Sequence, residues 1–259
     1  MRIPIVFLLL LTLSVSYAIA QKSVTFKKNL YLNKGDTLPY NVIEPLTIAP
    51  GQKYPLVIFL HGAGERGNEN ESNVKHLQLL YNRNVLDKYP SFVLAPQCPS
   101  KEVWSTLMYG KPFSATPTRP MQLFLQLLDH FIKENPVDVS RIYITGVSMG
   151  GYATWDLLAR FPTRFAAAVP VCGGGDVNTV SKFKHVPIWA FHGAEDEVVP
   201  PAHSRKMIDA LRREGSLPGY TEYPAIKHSS WHQAYKEPML MAWLFRQSLN
   251  NIGKTRTAK

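Results

Sequence analysis

Gly146-Val147-Ser148-Met149-Gly150 is the segment of this chain with the clearest capacity for covalent chemistry. It matches Gly-x-Ser-x-Gly, in which a sharp strand-to-helix turn exposes a serine as a nucleophile. A five-residue match arises by chance, so its surroundings carry the weight. An apolar run, Arg141-Ile142-Tyr143-Ile144-Thr145, leads into the motif, and a predicted helix containing Tyr152, Leu157 and Leu158 leaves it. A glycine-rich turn with an incidental serine fits less well, because the helix opens directly.

A serine hydroxyl is a weak nucleophile at neutral pH and needs a base, itself oriented by a third group. Asp196 is the expected orienter. It lies in His192-Gly193-Ala194-Glu195-Asp196-Glu197-Val198-Val199-Pro200, just after an apolar run. Its rivals are Glu195 and Glu197, and a helix-capping acid is the plainer alternative. His228 is the expected base, in a predicted loop after the last strand. His232 competes with it from four residues on, but within a predicted helix its ring has less freedom to swing toward Ser148. Of the other histidines, His61 and His192 close strands, while His76, His130, His185 and His203 read as surface or capping residues.

His61-Gly62-Ala63-Gly64-Glu65-Arg66-Gly67 offers small residues whose backbone N–H groups can face a site unobstructed. The amides of Ala63 and Met149 are the expected oxyanion donors. A phosphate loop is disfavoured because Gly-x-x-x-x-Gly-Lys-Ser/Thr is missing. The long stretch between Pro99 and Pro120 carries Trp104, Met108, Tyr109 and Phe113. Trp104 and Tyr109 are candidate substrate contacts, with core packing an equal alternative; Trp231, close to His228, is a third.

These groups need rigid elements to hold them. Pro55-Leu56-Val57-Ile58-Phe59-Leu60 is a continuous apolar run, as a strand buried on both faces reads. Similar runs are 92–95, 141–145, 165–171 and 187–191; 38–42 and 220–223 are further strands. Phe124, Leu127, Leu128, Phe131 and Ile132 fall on one helical face after Pro120. Met207, Ile208 and Leu211 do so between Pro201 and Gly215. Strands alternating with helices predict a mostly parallel sheet covered on both faces, in one domain over 21–259.

The N-terminus reads as a signal peptide over 1–20, with Arg2, an apolar stretch and Ala18-Ile19-Ala20 before the expected cleavage. The expected location is secreted or periplasmic, with no stable membrane span. Net charge is +10, from 29 Lys+Arg against 19 Asp+Glu. The basic residues are scattered without zinc-finger spacing or an RNA-binding signature, which argues against a nucleic-acid partner.

Taken together, residues 55–67, 93–99, 142–151, 171–176, 189–200 and 227–231 resemble the bacterial secreted esterase branch of the α/β-hydrolases. That branch includes phospholipase/carboxylesterase-like and prolyl-oligopeptidase-like proteins. The resemblance implies an α/β-hydrolase fold with about eight strands and carboxylic-ester hydrolysis through an acyl-serine. It implies no metal or organic cofactor. Expected substrates are small-molecule or carbohydrate esters, feruloyl and acetyl groups first and short-chain esters next. An acyltransferase or peptidase using the same residues, or a non-catalytic extracellular binding protein on this scaffold, are the alternatives. One departure is Lys227, where the family often has glycine before the histidine. Cys98 and Cys172 both follow predicted strands. In the strand order of the family this chain resembles, two sheet positions separate those ends, beyond a disulfide's reach, so free buried thiols are expected.

Overall fold

The computed structural model describes residues 24–252; the expected signal peptide over 1–20 lies outside them. Eight strands form one sheet: β1 (Lys27–Asn33), β2 (Asp36–Ile43), β3 (Tyr54–Leu60), β4 (Phe92–Pro96), β5 (Val137–Val147), β6 (Ala167–Val171), β7 (Trp189–Gly193) and β8 (Gly219–Tyr223). Their spatial order is β1-β2-β4-β3-β5-β6-β7-β8. β2 pairs antiparallel with both β1 and β4, and every later pairing is parallel. This is the eight-stranded, mostly parallel sheet of an α/β-hydrolase.

The helices among the described residues are α1 (Leu77–Leu80), α2 (Arg83–Lys88), α3 (Arg119–Glu134), α4 (Met149–Arg160), α5 (Val180–Phe183), α6 (Ala202–Arg213), α7 (Trp231–Ala234) and α8 (Leu240–Phe245). No described helix is long and apolar enough to cross a membrane.

Strands β3, β4 and β6 are buried along their whole length, which explains their unbroken apolar sequences. Successive side chains of a strand point to opposite faces, and β3 accordingly feeds two cores. Leu56, Ile58 and Leu60 pack with α3, α4 and α6 on one side. Val57 and Phe59 pack with Leu77, Leu80, Ala234, Tyr235, Leu240 and Leu244 on the other. Helix α3 begins where the sequence indicates: Thr118 accepts a hydrogen bond from the Met121 N–H, and Pro120 sits in the first turn. Met121, Phe124, Leu127, Leu128 and Phe131 form its buried stripe.

β1 is the strand the sequence reading passes over. Lys-Lys-Asn-Leu-Tyr-Leu-Asn is almost wholly exposed at the sheet edge, so it carries little apolar signal. Lysines on an exposed edge strand disfavour pairing with other chains.

Cys98 follows β4 and Cys172 follows β6, with β3 and β5 between them, as expected. Three strand spacings amount to about 14 Å, well beyond the Cα separation a disulfide spans. Both cysteines are free and buried.

Candidate active site

The parallel strands β5, β7 and β8 all end at the same edge of the sheet. The loops leaving them carry Ser148, Asp196 and His228. Open parallel sheets place their reactive groups at this edge because the chain turns there and backbone amides are left unpaired.

Ser148 joins β5 to α4 with φ 54° and ψ −114°, a backbone conformation that costs energy for any residue with a side chain. Close packing holds it there. A Cβ placed on Gly150 would lie 1.9 Å from the Leu60 carbonyl oxygen, and one on Gly151 would lie 2.4 Å from that of Val171. Only glycines let α4 sit this near the ends of β3 and β6. The Ser148 N–H donates to Val171 O at 3.0 Å.

His228 Nε2 is 2.9 Å from Ser148 Oγ, and His228 Nδ1 is 2.7 Å from Asp196 Oδ2. A carboxylate only accepts. The imidazole proton therefore sits on Nδ1, leaving Nε2 free to take the serine proton. The second oxygen, Asp196 Oδ1, accepts from the Val198 and Val199 N–H groups, each at 2.9 Å. Asp196 thus caps its own loop as well as holding the histidine, and it is buried. The rivals Glu195 and Glu197 are exposed, as is His232 on α7.

The acid loop and the histidine loop meet backbone to backbone. The Glu195 N–H donates to Ile226 O at 3.0 Å. A Cβ on Gly193 would lie 2.2 Å from Lys227 O, so glycine is required there. The Lys227 side chain itself is exposed.

Ala63 opens a short 3-10 turn (Ala63–Glu65), and Met149 opens α4. First-turn N–H groups have no carbonyl within their own helix, which leaves both amides suited to an anion. Gly62 brings the two loops together, since a Cβ there would lie 3.7 Å from Ser148 Cβ. The loop is held from behind by Arg66 Nε donating to Ala63 O at 2.8 Å. His61 accepts the Cys98 N–H at Nε2 (2.9 Å) and contacts Gly62 O through Nδ1 at 2.6 Å. Burial lowers this ring's pKa to about 4, so it stays neutral.

Burial overturns one expected substrate contact. Trp104 is completely buried, edge-on to His61 and Phe124 with ring centroids 5.4 and 6.4 Å away. It belongs to the core beneath the 61–67 loop and has no surface to offer a ligand. Tyr109, by contrast, is 59% exposed at the end of the 3-10 turn Thr106–Tyr109. Beside that turn lies a cavity of about 330 Å³ lined by Leu107, Gly110, Tyr152, Gly175, His203 and Lys206. Trp231 stands edge-on to His228 at 5.4 Å.

Three histidines read from sequence as peripheral or strand-closing do more. His76 is buried, with Nε2 3.1 Å from Glu65 Oε1 and its ring 4.7 Å from that of Trp231. It is not a surface residue. His203 Nδ1 lies 2.7 Å from the Tyr152 hydroxyl, on the cavity wall. His192 places Nε2 2.8 Å from Val199 O and 3.2 Å from Asp196 Oδ2. Burial lowers the pKa of His192 despite the Val199 carbonyl and the Asp196 charge. Nothing local in the sequence marks these contacts; each joins segments far apart in the chain or depends on a loop's shape.

Among the described residues, Cys172, Asp196 and His228 offer ligand atoms within 4.8 Å of one another. Burial pushes the Cys172 thiol far above its ordinary range, whereas metals bind the thiolate. Asp196 and His228 are already bonded to each other, so the set fits proton transfer better than metal binding.

A profile described as Phospholipase/Carboxylesterase matches residues 45–237. A thermostable esterase of known structure is similar, with 39% identity and a TM-score of 0.81 over 86% of this chain and 63% of that one. The bifunctional acetylxylan esterase/xylanase XynS20E of Neocallimastix patriciarum is 29% identical over 160 residues, 61% of this chain and 21% of that protein. An uncharacterized secreted protein of Arthroderma benhamiae is 25% identical over 84% of this chain and 26% of its own length. The chain thus spans about a quarter or less of these two curated relatives.

Proposed function

The chain belongs to the phospholipase/carboxylesterase family of α/β-hydrolases, and on that premise we propose that it is an exported serine esterase acting through Ser148, His228 and Asp196. The observation that carries this reading is the unbroken line of hydrogen bonds from Ser148 Oγ through His228 to Asp196, at 2.9 and 2.7 Å.

His228 takes the Ser148 proton as Oγ attacks the ester carbonyl. Asp196 keeps the ring in the reactive tautomer and balances the imidazolium charge that forms. The Ala63 and Met149 amides donate to the oxyanion, an interaction worth about 3 kcal/mol per donor in comparable sites. The imidazolium then returns its proton to the departing alcohol, leaving Ser148 acylated. Water enters, His228 removes a proton from it, and collapse of the second tetrahedral adduct frees the acid and the serine.

Carbohydrate-linked acyl groups, acetyl or feruloyl, are the proposed substrates, with short-chain esters next. The acetylxylan esterase relative supports the first of these, and the secreted relative supports export. The purified protein is assayed on p-nitrophenyl acyl esters, acetylated and feruloylated sugars, and peptide amides. Replacing Ser148 with Ala is expected to lower kcat by roughly 10⁶-fold and to abolish labelling by a fluorophosphonate. Turnover close to wild type in that variant would refute the assignment.

A further inference from the structure

Glu65 places a carboxylate beside the nucleophile, where catalysis by Ser148 has no need of one. Oε1 is committed to His76 Nε2 at 3.1 Å, whereas Oε2 has no hydrogen-bond donor among the described residues. The Glu65 side chain is 12% exposed. Gly62 lies between this carboxylate and the serine, in contact range of both: a Cβ built there would lie 3.0 Å from Glu65 Oε2 and 3.7 Å from Ser148 Cβ. Burial works to raise the Glu65 carboxyl, but the hydrogen bond and charge of His76 outweigh it, and the group is held below the usual range.

A negative charge this close to a forming oxyanion opposes the reaction unless it does something else. Holding the loop in shape is not that role. The Glu65 backbone N–H donates to Gly62 O, and its carbonyl accepts from Gln97 Nε2 at 3.1 Å and Ser72 Oγ at 3.2 Å. With Arg66 on the Ala63 carbonyl, the loop is fastened without the carboxylate. His76 orients Glu65 while its ring packs at a tilt against Trp231, which in turn stands edge-on to His228. The second oxygen is therefore held in a fixed frame on the Ser148 side of the loop.

We infer that Glu65 is a substrate contact whose Oε2 accepts a hydrogen bond from a hydroxyl of the ester's alcohol portion, so that acylated polyols are the substrate class. Sugar esters carry such a hydroxyl on the carbon next to the acylated one; simple alkyl and aryl esters carry none. A carboxylate acceptor is well suited to a hydroxyl donor and repels an anionic one. This inference rests on Ser148 being the acylated residue.

The test is a comparison of two acetates with similar rings, methyl 2-O-acetyl-xylopyranoside and cyclohexyl acetate. Wild type is expected to favour the xyloside in kcat/KM. In Glu65→Gln and Glu65→Ala, the ratio of the two kcat/KM values is expected to fall about 10- to 100-fold, the worth of a hydrogen bond to a charged group. Because each ratio is taken on one preparation, partial misfolding cancels. Hydrolysis of both esters with an unaltered ratio in both variants would overturn the role of Glu65 while leaving the serine esterase intact. Failure of wild type to hydrolyse any ester would overturn the serine-esterase reading and this inference with it.

Discussion

The His192 and His228 rings converge on one oxygen: Asp196 Oδ2 lies 3.2 Å from His192 Nε2 and 2.7 Å from His228 Nδ1. With Val198 and Val199 amides on Oδ1 and His228 Nδ1 on Oδ2, the carboxylate accepts three hydrogen bonds and has little freedom to rotate. Asp196→Asn is expected to keep this geometry but present an amide N–H where an acceptor is needed, favouring the wrong imidazole tautomer. We expect kcat to fall by about 10⁴ with KM little changed. Steady-state kinetics on p-nitrophenyl acetate checks it, and a loss smaller than tenfold would contradict the role given to Asp196.

His61 sets an acid limit on stability. Its ring has a pKa of about 4 in the fold against 6.5 when solvated, because burial disfavours the charged form. A group depressed on folding stabilises the fold fully above its unfolded pKa and loses that contribution as pH drops through the folded value. The contribution is about 3 kcal/mol, lost progressively between about pH 6.5 and 4 as unfolding takes up a proton. Urea unfolding at several pH values across that window measures it, and His61→Gln is expected to flatten the slope. Equal pH dependence in both proteins would rule His61 out as the cause.

Gly150 is expected to tolerate no side chain. In Gly150→Ala the new methyl meets the Leu60 carbonyl, a backbone atom that cannot swing aside. The helix must then back away from β3, carrying Ser148 with it. We expect at least about 2 kcal/mol of destabilisation together with loss of esterase activity. A melting temperature within a degree or two of wild type would show that the elbow is looser than this packing implies.

The thiols give a direct chemical reading of the topology. Cys98 and Cys172 are both completely buried, and burial pushes the Cys98 thiol up to about 12. A thiol-reactive disulfide reagent is expected to find no reactive group in the folded protein within minutes and two after unfolding without reductant. Fewer than two in the unfolded, unreduced chain would reveal a bridge.

Much of this architecture is written locally. The runs that became β3 to β7 are apolar because parallel strands in the middle of a covered sheet have no solvent face. Gly146 to Gly151 is legible because strand, turn and helix are contiguous and the glycines mark close approach. β1 is not legible in this way. At an exposed edge its lysines and asparagines satisfy solvation and leave no periodic apolar pattern. Trp104 shows the opposite failure, since an aromatic in a long loop has the same local sequence whether it faces a ligand or the core.

By itself, the chain's sequence determined the sheet's central strands, the strained serine turn and the order in which acid and base follow it. These depend on backbone preference and burial acting within a few residues. Only the tertiary structure decided that His76 serves Glu65, that His192 shares the Asp196 oxygen, and that a free carboxylate oxygen stands beside Ser148. Those relations come from loops meeting at one edge of the sheet. The distance between two such side chains depends on how strands are ordered and helices packed, which no short stretch of residues encodes.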